Sequence, residues 1–175
     1  MGEVKAYIAI GSNIDPQENV EGALEILNAE APIFALSTFY WSPPVGHQQH
    51  EQPPFLNGVC GIVSAFDARN LKFRVLRSIE RRLGRVRGAD KYAARPIDLD
   101  IAMFGDMLID EPDLHAPDPD IATRPFLAVP LYELIPEGVL PDSGASLASI
   151  VNQMDTSMLS ADEALTLRLN ERFIS

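Results

Sequence analysis

Two aspartates and a neighbouring run of basic residues are the features of this 175-residue sequence best suited to chemistry. Asp98 and Asp100 are separated by one residue, Leu99, within the segment RPIDLDI, residues 95–101. If this segment is a β-strand, both carboxylates lie on one face and the apolar residues on the other, because side chains alternate along a strand. Proteins hold Mg²⁺ with one or two carboxylates, together with waters and phosphate oxygens of a substrate. The spacing therefore predicts a magnesium site at which a phosphate-bearing substrate also binds.

The basic residues are concentrated in one stretch, although the formal net charge of the chain is −11. Residues 72–95 hold nine of the 14 lysines and arginines and two acidic residues, so this stretch carries +7 and the remainder −18. Three of the nine are interpreted as solvent-facing residues of a helix: Lys72, Arg74 and Arg81. Four others follow Gly84, where that helix is predicted to end, and lie in a loop: Arg85, Arg87, Lys91 and Arg95. Because arginine pairs bidentately with phosphate oxygens, the loop predicts a polyphosphate clamp and hence phosphoryl or pyrophosphoryl transfer.

The overall composition excludes several classes of protein. An acidic surface is repelled by nucleic acid and by anionic lipid, so neither a nucleic-acid nor a membrane partner is expected. No apolar run approaches the roughly 20 residues of a membrane span, and no signal-peptide pattern is present, so we expect a cytoplasmic protein, and a monomer. The single cysteine, Cys60, is interpreted as a buried thiol of the core. His47 and His50 have no third ligand nearby in the sequence, which favours a polar loop over a zinc site.

The spacing of apolar residues and turn residues predicts a ferredoxin-like α+β domain. Six elements are predicted in its core: strand 4–10, helix 16–30, strands 33–41 and 55–66, helix 67–83 and strand 97–104. Further elements follow: a short hairpin at 107–114, helices at 124–134 and 146–154, and a short helix near 164–169. The order βαββαβ, followed by a hairpin and helices, favours a three-layer α-β-α architecture. The length corresponds to about one domain, so we expect residues 1–175 to form a single domain.

Several ordered motifs resemble those of the 6-hydroxymethyl-7,8-dihydropterin pyrophosphokinases of folate biosynthesis. They are AYIAIGSN (6–13), YWSPPVG (40–46), FLN (55–57), IE (79–80), LGRVR (83–87), RPIDLDI (95–101), RPF (124–126) and PLYEL (130–134). The resemblance covers about residues 4–142 and leaves 143–175 as a C-terminal extension. It implies transfer of pyrophosphate from ATP to the hydroxymethyl group of the reduced pterin, with release of AMP and with two Mg²⁺ ions.

The resemblance also implies a role for individual residues. Asp98 and Asp100 would hold both metal ions, and Arg85, Arg95 and Asp100 would be catalytic, with Asp100 the candidate general base. The pterin would be sandwiched between Phe55 and Phe126, read by Asn57, and contacted by the backbone from Ser42 to Val45, including Pro43. The residues implied to contact ATP are Glu80, Arg85, Arg87, Lys91, Tyr92, Arg95, Ile101, His115, Asp118 and Arg124.

The sequence departs from the family pattern near the nucleotide. Asp118 stands where members commonly have histidine, and a carboxylate there adds repulsion to ATP phosphates unless a metal or an arginine offsets it; His115 could substitute in part. This leaves a second interpretation open, a weakened relative that binds pterin or nucleotide without turnover. A ferredoxin-like RNA-binding domain is a further alternative, but an aromatic RNP-type run is absent from the sequence and the acidic charge opposes it. Phe55 and Tyr92 replace other aromatic residues seen in some members, which we expect to be tolerated.

Overall fold

The computed structural model of the chain describes residues 2–45 and 52–174, so the loop prediction for His47 and His50 lies outside the described residues. The strands are β1 (Val4–Ser12), β2 (Ile33–Leu36), β3 (Tyr40–Ser42), β4 (Phe55–Ser64), β5 (Asp98–Phe104), β6 (Ile109–Glu111), β7 (Leu114–Ala116) and β8 (Ser160–Ala161). The helices are α1 (Pro16–Glu30), α2 (Ala68–Asn70), a π-helix (Leu71–Leu76), α3 (Arg77–Arg82), a 3₁₀-helix (Pro119–Ala122), α4 (Pro125–Leu134), α5 (Leu147–Asn152) and α6 (Glu163–Phe173).

The main sheet has the strand order expected of a ferredoxin-like fold. Its order is β5-β1-β4-β3-β8, and β2 also pairs with β4, so β2 and β3 occupy one position beside it. β1 is antiparallel to both β4 and β5. The predicted α+β topology is confirmed, and it brings the ends of β1, β4 and β5 together at Gly11, Asn57 and Asp98.

Apolar layers cover both faces of the sheet, which confirms the three-layer architecture. One face of the sheet packs against α1, the π-helix and α3 through buried residues that include Ile8, Leu24, Leu27, Leu76 and Ile79. The opposite face packs against α4 through residues that include Tyr7, Val59, Met103, Leu127 and Leu131. Cys60 is buried as predicted, and burial raises the pKa of its thiol to about 12, which keeps it protonated. Within the described ranges, the helices are too short or too polar to cross a membrane.

The predicted strand 33–41 is wrong in one respect, because it is two strands separated by residues 37–39. The Ser37 hydroxyl accepts a hydrogen bond from the Val59 N–H at 2.8 Å, a side-chain bond in place of a ladder bond. The ring of Phe39 is fully buried and packs on Gly58, where a Cβ would lie 2.6 Å from the ring. After this break, β3 pairs with the first residues of β4, and Ser42 lies opposite Phe55.

The predicted helix 67–83 is present but is not a regular α-helix. Asp67 caps its start by accepting a hydrogen bond from the Asn70 N–H at 2.8 Å, and Gly84 ends it with a φ of +90°, a conformation that favours glycine. Between them, residues 71–76 form a π-helix. The interpretation of Lys72 as a solvent-facing residue is wrong, since it is 8% exposed. A π-helix is wider than an α-helix, so different side chains face the core. A pattern based on 3.6 residues per turn therefore does not predict that Lys72 is buried.

The segment Ser160–Phe173, which we call the C-terminal arm, pairs with β3 and packs along that side of the sheet. β8 pairs with β3, and the Asp162 N–H donates to the Phe39 carbonyl at 2.8 Å. The Asp162 carboxylate accepts hydrogen bonds from the Trp41 indole at 3.1 Å, from the Gln17 amide at 3.0 Å and from the Leu165 N–H at 3.1 Å. The short helix predicted near 164–169 is part of α6. One carboxylate therefore caps α6 and ties it to β3 and α1.

We expect Asp162→Ala to lower the free energy of unfolding by about 1–2 kcal/mol, because it removes a helix cap and two side-chain hydrogen bonds. Urea denaturation followed by circular dichroism measures this change. The matched control is Asp155→Ala, since Asp155 accepts from the Ser157 N–H at 2.9 Å but lies in an exposed turn. Equal destabilisation by the two substitutions would contradict the role of Asp162 as a link between elements.

Candidate active site

Three cavities meet at Asp98. The first, which we call the phosphate cavity, has a volume of about 280 Å³ and is lined by Asp98, Asp100 and basic residues of the loop. The second, the carboxylate cavity, has a volume of about 150 Å³ and is lined by four aspartates, Asp98, Asp100, Asp118 and Asp120. The third, the aromatic cavity, has a volume of about 240 Å³ and includes Phe55 and Phe126. The polyphosphate clamp and the aromatic pair predicted from sequence therefore adjoin one another at a shared carboxylate.

Asp98 is held between two arginines. Arg85 Nη1 lies 2.6 Å from Asp98 Oδ1, and Arg95 Nη1 lies 3.1 Å from Oδ2. Burial alone would raise the pKa of this carboxyl, but the two guanidinium groups outweigh burial and hold the pKa below its ordinary value. Arg95 is fixed in turn by the end of β1, since its N–H donates to Asn13 Oδ1 at 2.8 Å. Asp98 is therefore ionised at neutral pH and fixed in position.

Glu80 is a buried carboxylate that pairs with three arginines near the phosphate cavity. Its carboxylate is 2% exposed and accepts hydrogen bonds from Arg77, Arg85 and Arg87 at 2.8–3.3 Å. It also accepts from the Leu99 N–H at 2.9 Å, which links α3 to β5. A buried carboxylate needs several donors of this kind to offset its lost hydration. Glu80 thus orients the clamp residues.

The aromatic cavity brings together the residues that the resemblance implied for the pterin. Its lining includes Ser42, Pro43, Val45, Phe55, Asn57 and Phe126. The Asn57 amide donates to the Ser42 hydroxyl at 2.7 Å, which sets the orientation of that amide. The absence of a side chain at Gly11 leaves room for the Asn57 amide, because a Cβ at Gly11 would lie 3.0 Å from Asn57 Oδ1. The cavity therefore combines two aromatic rings with a fixed amide.

Most of the sequence matches one enzyme family. The profile of the 7,8-dihydro-6-hydroxymethylpterin-pyrophosphokinase (HPPK) family matches residues 7–136, well over half of the chain. The chain belongs to this family. The HPPK enzyme of Pseudomonas aeruginosa is 36% identical over 141 residues, which cover 79% of this chain and 85% of the relative. That of Haemophilus influenzae is 36% identical over 143 residues, 80% of this chain and 87% of the relative.

Solved structures support the fold. A Plasmodium falciparum HPPK-DHPS crystal structure aligns with a TM-score of 0.69 at 14% identity, covering 86% of this chain and 41% of the longer one. The wild-type protein aligns with a TM-score of 0.65 at 15% identity. This chain spans about two fifths of the solved chains, and at such identity the likeness shows the fold alone.

HPPK membership establishes the activity, which is pyrophosphoryl transfer to hydroxymethyldihydropterin in folate synthesis, with ATP as the co-substrate. The structure brings most of the implied ATP-contacting residues to the three cavities, namely Arg85, Arg87, Lys91, Tyr92, Arg95, Asp118 and Arg124. Three others lie elsewhere. Glu80 is buried beneath the arginines, His115 pairs with Asp110 at 3.0 Å on the β6–β7 hairpin, and the Ile101 side chain is fully buried in the core. None of these side chains lines any of the three cavities.

Three residues of the site were missed by sequence reasoning. Arg77 of α3 lines the phosphate cavity. Lys72 Nζ lies 3.2 Å from Asp100 Oδ1, a contact that depends on the π-helix. Asp120 lines both the carboxylate and the aromatic cavities. A signal for Asp120 was present, because it follows Asp118 by two residues in the PDPD turn at 117–120. No comparable signal marked Lys72.

The carboxyl group of Asp118 is harder to ionise than that of an ordinary aspartate. Burial raises the pKa of its carboxyl, and the negative charges of Asp100 and Asp120 raise it further, to about 6. A hydrogen bond from the Asp120 N–H at 2.9 Å and the nearby Lys72 act in the opposite direction. The carboxyl is therefore mostly ionised at pH 7.5 and mostly neutral at pH 5.

Proposed function

We propose that ATP and the reduced pterin react where the phosphate and aromatic cavities meet, beside Asp98. The observation that carries this proposal is the shared lining of the two cavities, one rich in arginine and the other in aromatic and amide groups. A polyphosphate and a flat, polar heterocycle have the chemistry to fill these two spaces side by side. The pterin hydroxymethyl group would then point toward the nucleotide phosphates.

On the pterin side, Phe55 and Phe126 supply faces for stacking, and Asn57 supplies an amide for the polar edge of the ring. Backbone groups from Ser42 to Val45 complete this recognition. The support is that these side chains line one cavity and that the Ser42 hydroxyl already fixes the Asn57 amide. The amide therefore does not have to be ordered when the substrate binds.

On the nucleotide side, Arg85, Arg87, Lys91 and Arg95 neutralise the phosphates as charge develops. Glu80 holds Arg85 and Arg87 in place, and Asp98 holds Arg85 and Arg95, so these cations are oriented before ATP arrives. Preorganised charge of this kind stabilises a phosphoryl-type transition state without reorganisation cost. Tyr92 and Arg124 line the aromatic cavity, as do Lys91 and Arg95 of the clamp.

Asp98 and Asp100 are suited to holding Mg²⁺. Their side chains are 39% and 41% exposed and line the same two cavities. In the part of the chain that the structure describes, no cluster of three His, Cys, Asp or Glu side chains is arranged to hold a metal. Two carboxylates leave positions for water and phosphate oxygens, the coordination that Mg²⁺ prefers. Two bound Mg²⁺ ions would neutralise phosphate charge.

The transfer then depends on positioning. The hydroxymethyl oxygen bonds to the β-phosphorus of ATP, the bond from that phosphorus to the α,β-bridging oxygen breaks, and AMP leaves. The hydroxyl proton must also be removed, and Asp100, which lines the phosphate and carboxylate cavities, is our candidate acceptor. The arginines hold the donor and the aromatic cavity holds the acceptor in line.

Two substitutions, one on each side of the site, test this division between a pterin side and a nucleotide side. We expect Asn57→Ala to raise KM for the pterin about tenfold or more, since it removes a buried polar partner, with little change in KM for ATP. We expect Arg87→Ala to raise KM for ATP with little change for the pterin. Both are measured by AMP release with Mg²⁺, ATP and reduced hydroxymethylpterin. Both substitutions changing the same KM, or release of ADP instead of AMP, would contradict the proposal.

We also propose that the enzyme is a cytoplasmic monomer. The support is that the C-terminal arm covers β3 with a strand of two residues, a short edge of the kind that disfavours pairing between copies. Light scattering at micromolar concentration would give a mass near 19.2 kDa for a monomer and twice that for a dimer.

A further inference from the structure

Lys72 is a buried cation that faces the proposed metal-binding carboxylates. Its side chain is 10% exposed, and its Nζ lies 3.2 Å from Asp100 Oδ1. The same oxygen accepts a hydrogen bond from the Ile101 N–H at 2.9 Å. A buried ammonium is costly unless it is paired, and the ion pair with Asp100 offsets this cost. Asp113 and Asp118 are also near enough for their charges to interact with that of Lys72.

The position of Lys72 is set by the backbone. Lys72 lies in the π-helix, and its carbonyl accepts the hydrogen bond from the Arg77 N–H that closes the wide turn. Arg77 is itself held by Glu80 at 3.2 Å. The ammonium is therefore supported by the same network that orients the clamp arginines.

We propose that Lys72 acts as a counter-cation of Asp100. The Lys72 ammonium competes with divalent cations for the Asp100 carboxylate until a bound nucleotide adds its own negative charge. This inference rests on the proposed role of Asp100 as a metal-binding residue. A metal ion approaching Asp100 without nucleotide meets a carboxylate that is already paired and an ammonium that repels it. When ATP is bound, its phosphates offset the added positive charge. Lys72 is thus a positioning residue that makes metal binding depend on nucleotide.

The test is titration with Mn²⁺ alone, followed by electron paramagnetic resonance of the free ion, on the intact chain without nucleotide. We expect Lys72→Met to bind Mn²⁺ about tenfold more tightly than the wild type, since removing the ammonium removes both the competition and the repulsion. Lys72→Arg keeps the cation and should bind as the wild type does. With the non-transferable analogue α,β-methylene-ATP present, the difference between Lys72→Met and wild type should shrink.

The matched control is Arg74→Met, which removes an exposed cation from the same π-helix. Unchanged or weaker Mn²⁺ binding by Lys72→Met would overturn the inference, as would equal tightening by Arg74→Met. A purely structural role would instead lower stability without tightening metal binding. If Lys72→Met does not fold, Lys72→Gln removes the charge with a polar side chain and gives the same comparison.

Asp100→Asn separates this inference from the proposed function. For this variant the titration is made with α,β-methylene-ATP present, where Lys72 no longer masks Asp100. If Asp100→Asn then loses Mn²⁺ binding while Lys72→Met shows no gain without nucleotide, the metal role of Asp100 stands and the inference about Lys72 fails. If Asp100→Asn binds Mn²⁺ as tightly as the wild type does with α,β-methylene-ATP present, the metal role itself fails.

Discussion

Asp100→Asn is expected to lower kcat for AMP formation by about a thousandfold, which corresponds to ~4 kcal/mol of transition-state stabilisation. The amide keeps the shape of the side chain but loses the charge that would hold Mg²⁺ against the transferring phosphates. Asp100 is partly exposed, and the amide oxygen of asparagine can still accept a hydrogen bond from the buried Lys72 ammonium, so we expect some loss of stability but a folded chain. Steady-state assays at saturating ATP, Mg²⁺ and pterin measure the effect, and a thermal melt checks the fold.

Asp142→Asn is the matched control for this prediction. It makes the same change of carboxylate to amide at an exposed turn residue that lines none of the three cavities. We expect its kcat to remain within about threefold of wild type, since a solvated charge contributes little. Near-wild-type turnover by Asp100→Asn, or an equal loss in both variants, would contradict the assignment of Asp100 to the reaction.

The geometry of Asp98 and Asp100 was predictable because it depends on local alternation. In β5, both carboxylates are partly exposed while Leu99 and Ile101 are fully buried, as the spacing predicted. The start of α1 at Pro16 and its end near Glu30 were predicted from the proline and the apolar spacing, although Asp15 does not cap it with its side chain. Such features need no knowledge of distant residues.

The parts that escaped prediction depend on tertiary contacts. Glu80 pairs with arginines on both sides of Gly84 and with β5, so its role emerges only when the helix packs on the sheet. Lys72 is charged, and its inward orientation follows from a π-helix that no periodic pattern encodes. The break at Ser37 depends on Val59, which lies in another strand. Sequence reasoning therefore predicts the chemistry of the site better than the contacts that orient it.

Asp118→Asn is expected to lower KM for ATP about fivefold at pH 7.5 and to have little effect at pH 5, since removing one charge at this range is worth ~1 kcal/mol. The sign follows from the pKa of about 6. At pH 7.5 the wild-type carboxylate is ionised and repels the ATP phosphates, so an amide helps. At pH 5 the carboxyl is already neutral, so an amide changes little. The comparison is made between variants at each pH, which cancels the titration of ATP itself.

Asp142→Asn controls for net charge, because it removes one exposed carboxylate from a turn elsewhere and should not change KM for ATP at either pH. Asp118→His separates charge from shape. A histidine becomes cationic over the pH range in which the wild-type carboxyl becomes neutral, so it stays about one charge more positive than wild type, and its advantage in KM for ATP should persist from pH 7.5 to pH 5 while that of asparagine disappears. If the His variant loses its advantage at pH 5 as the Asn variant does, the charge of residue 118 does not control ATP affinity, and the repulsion attributed to Asp118 is wrong.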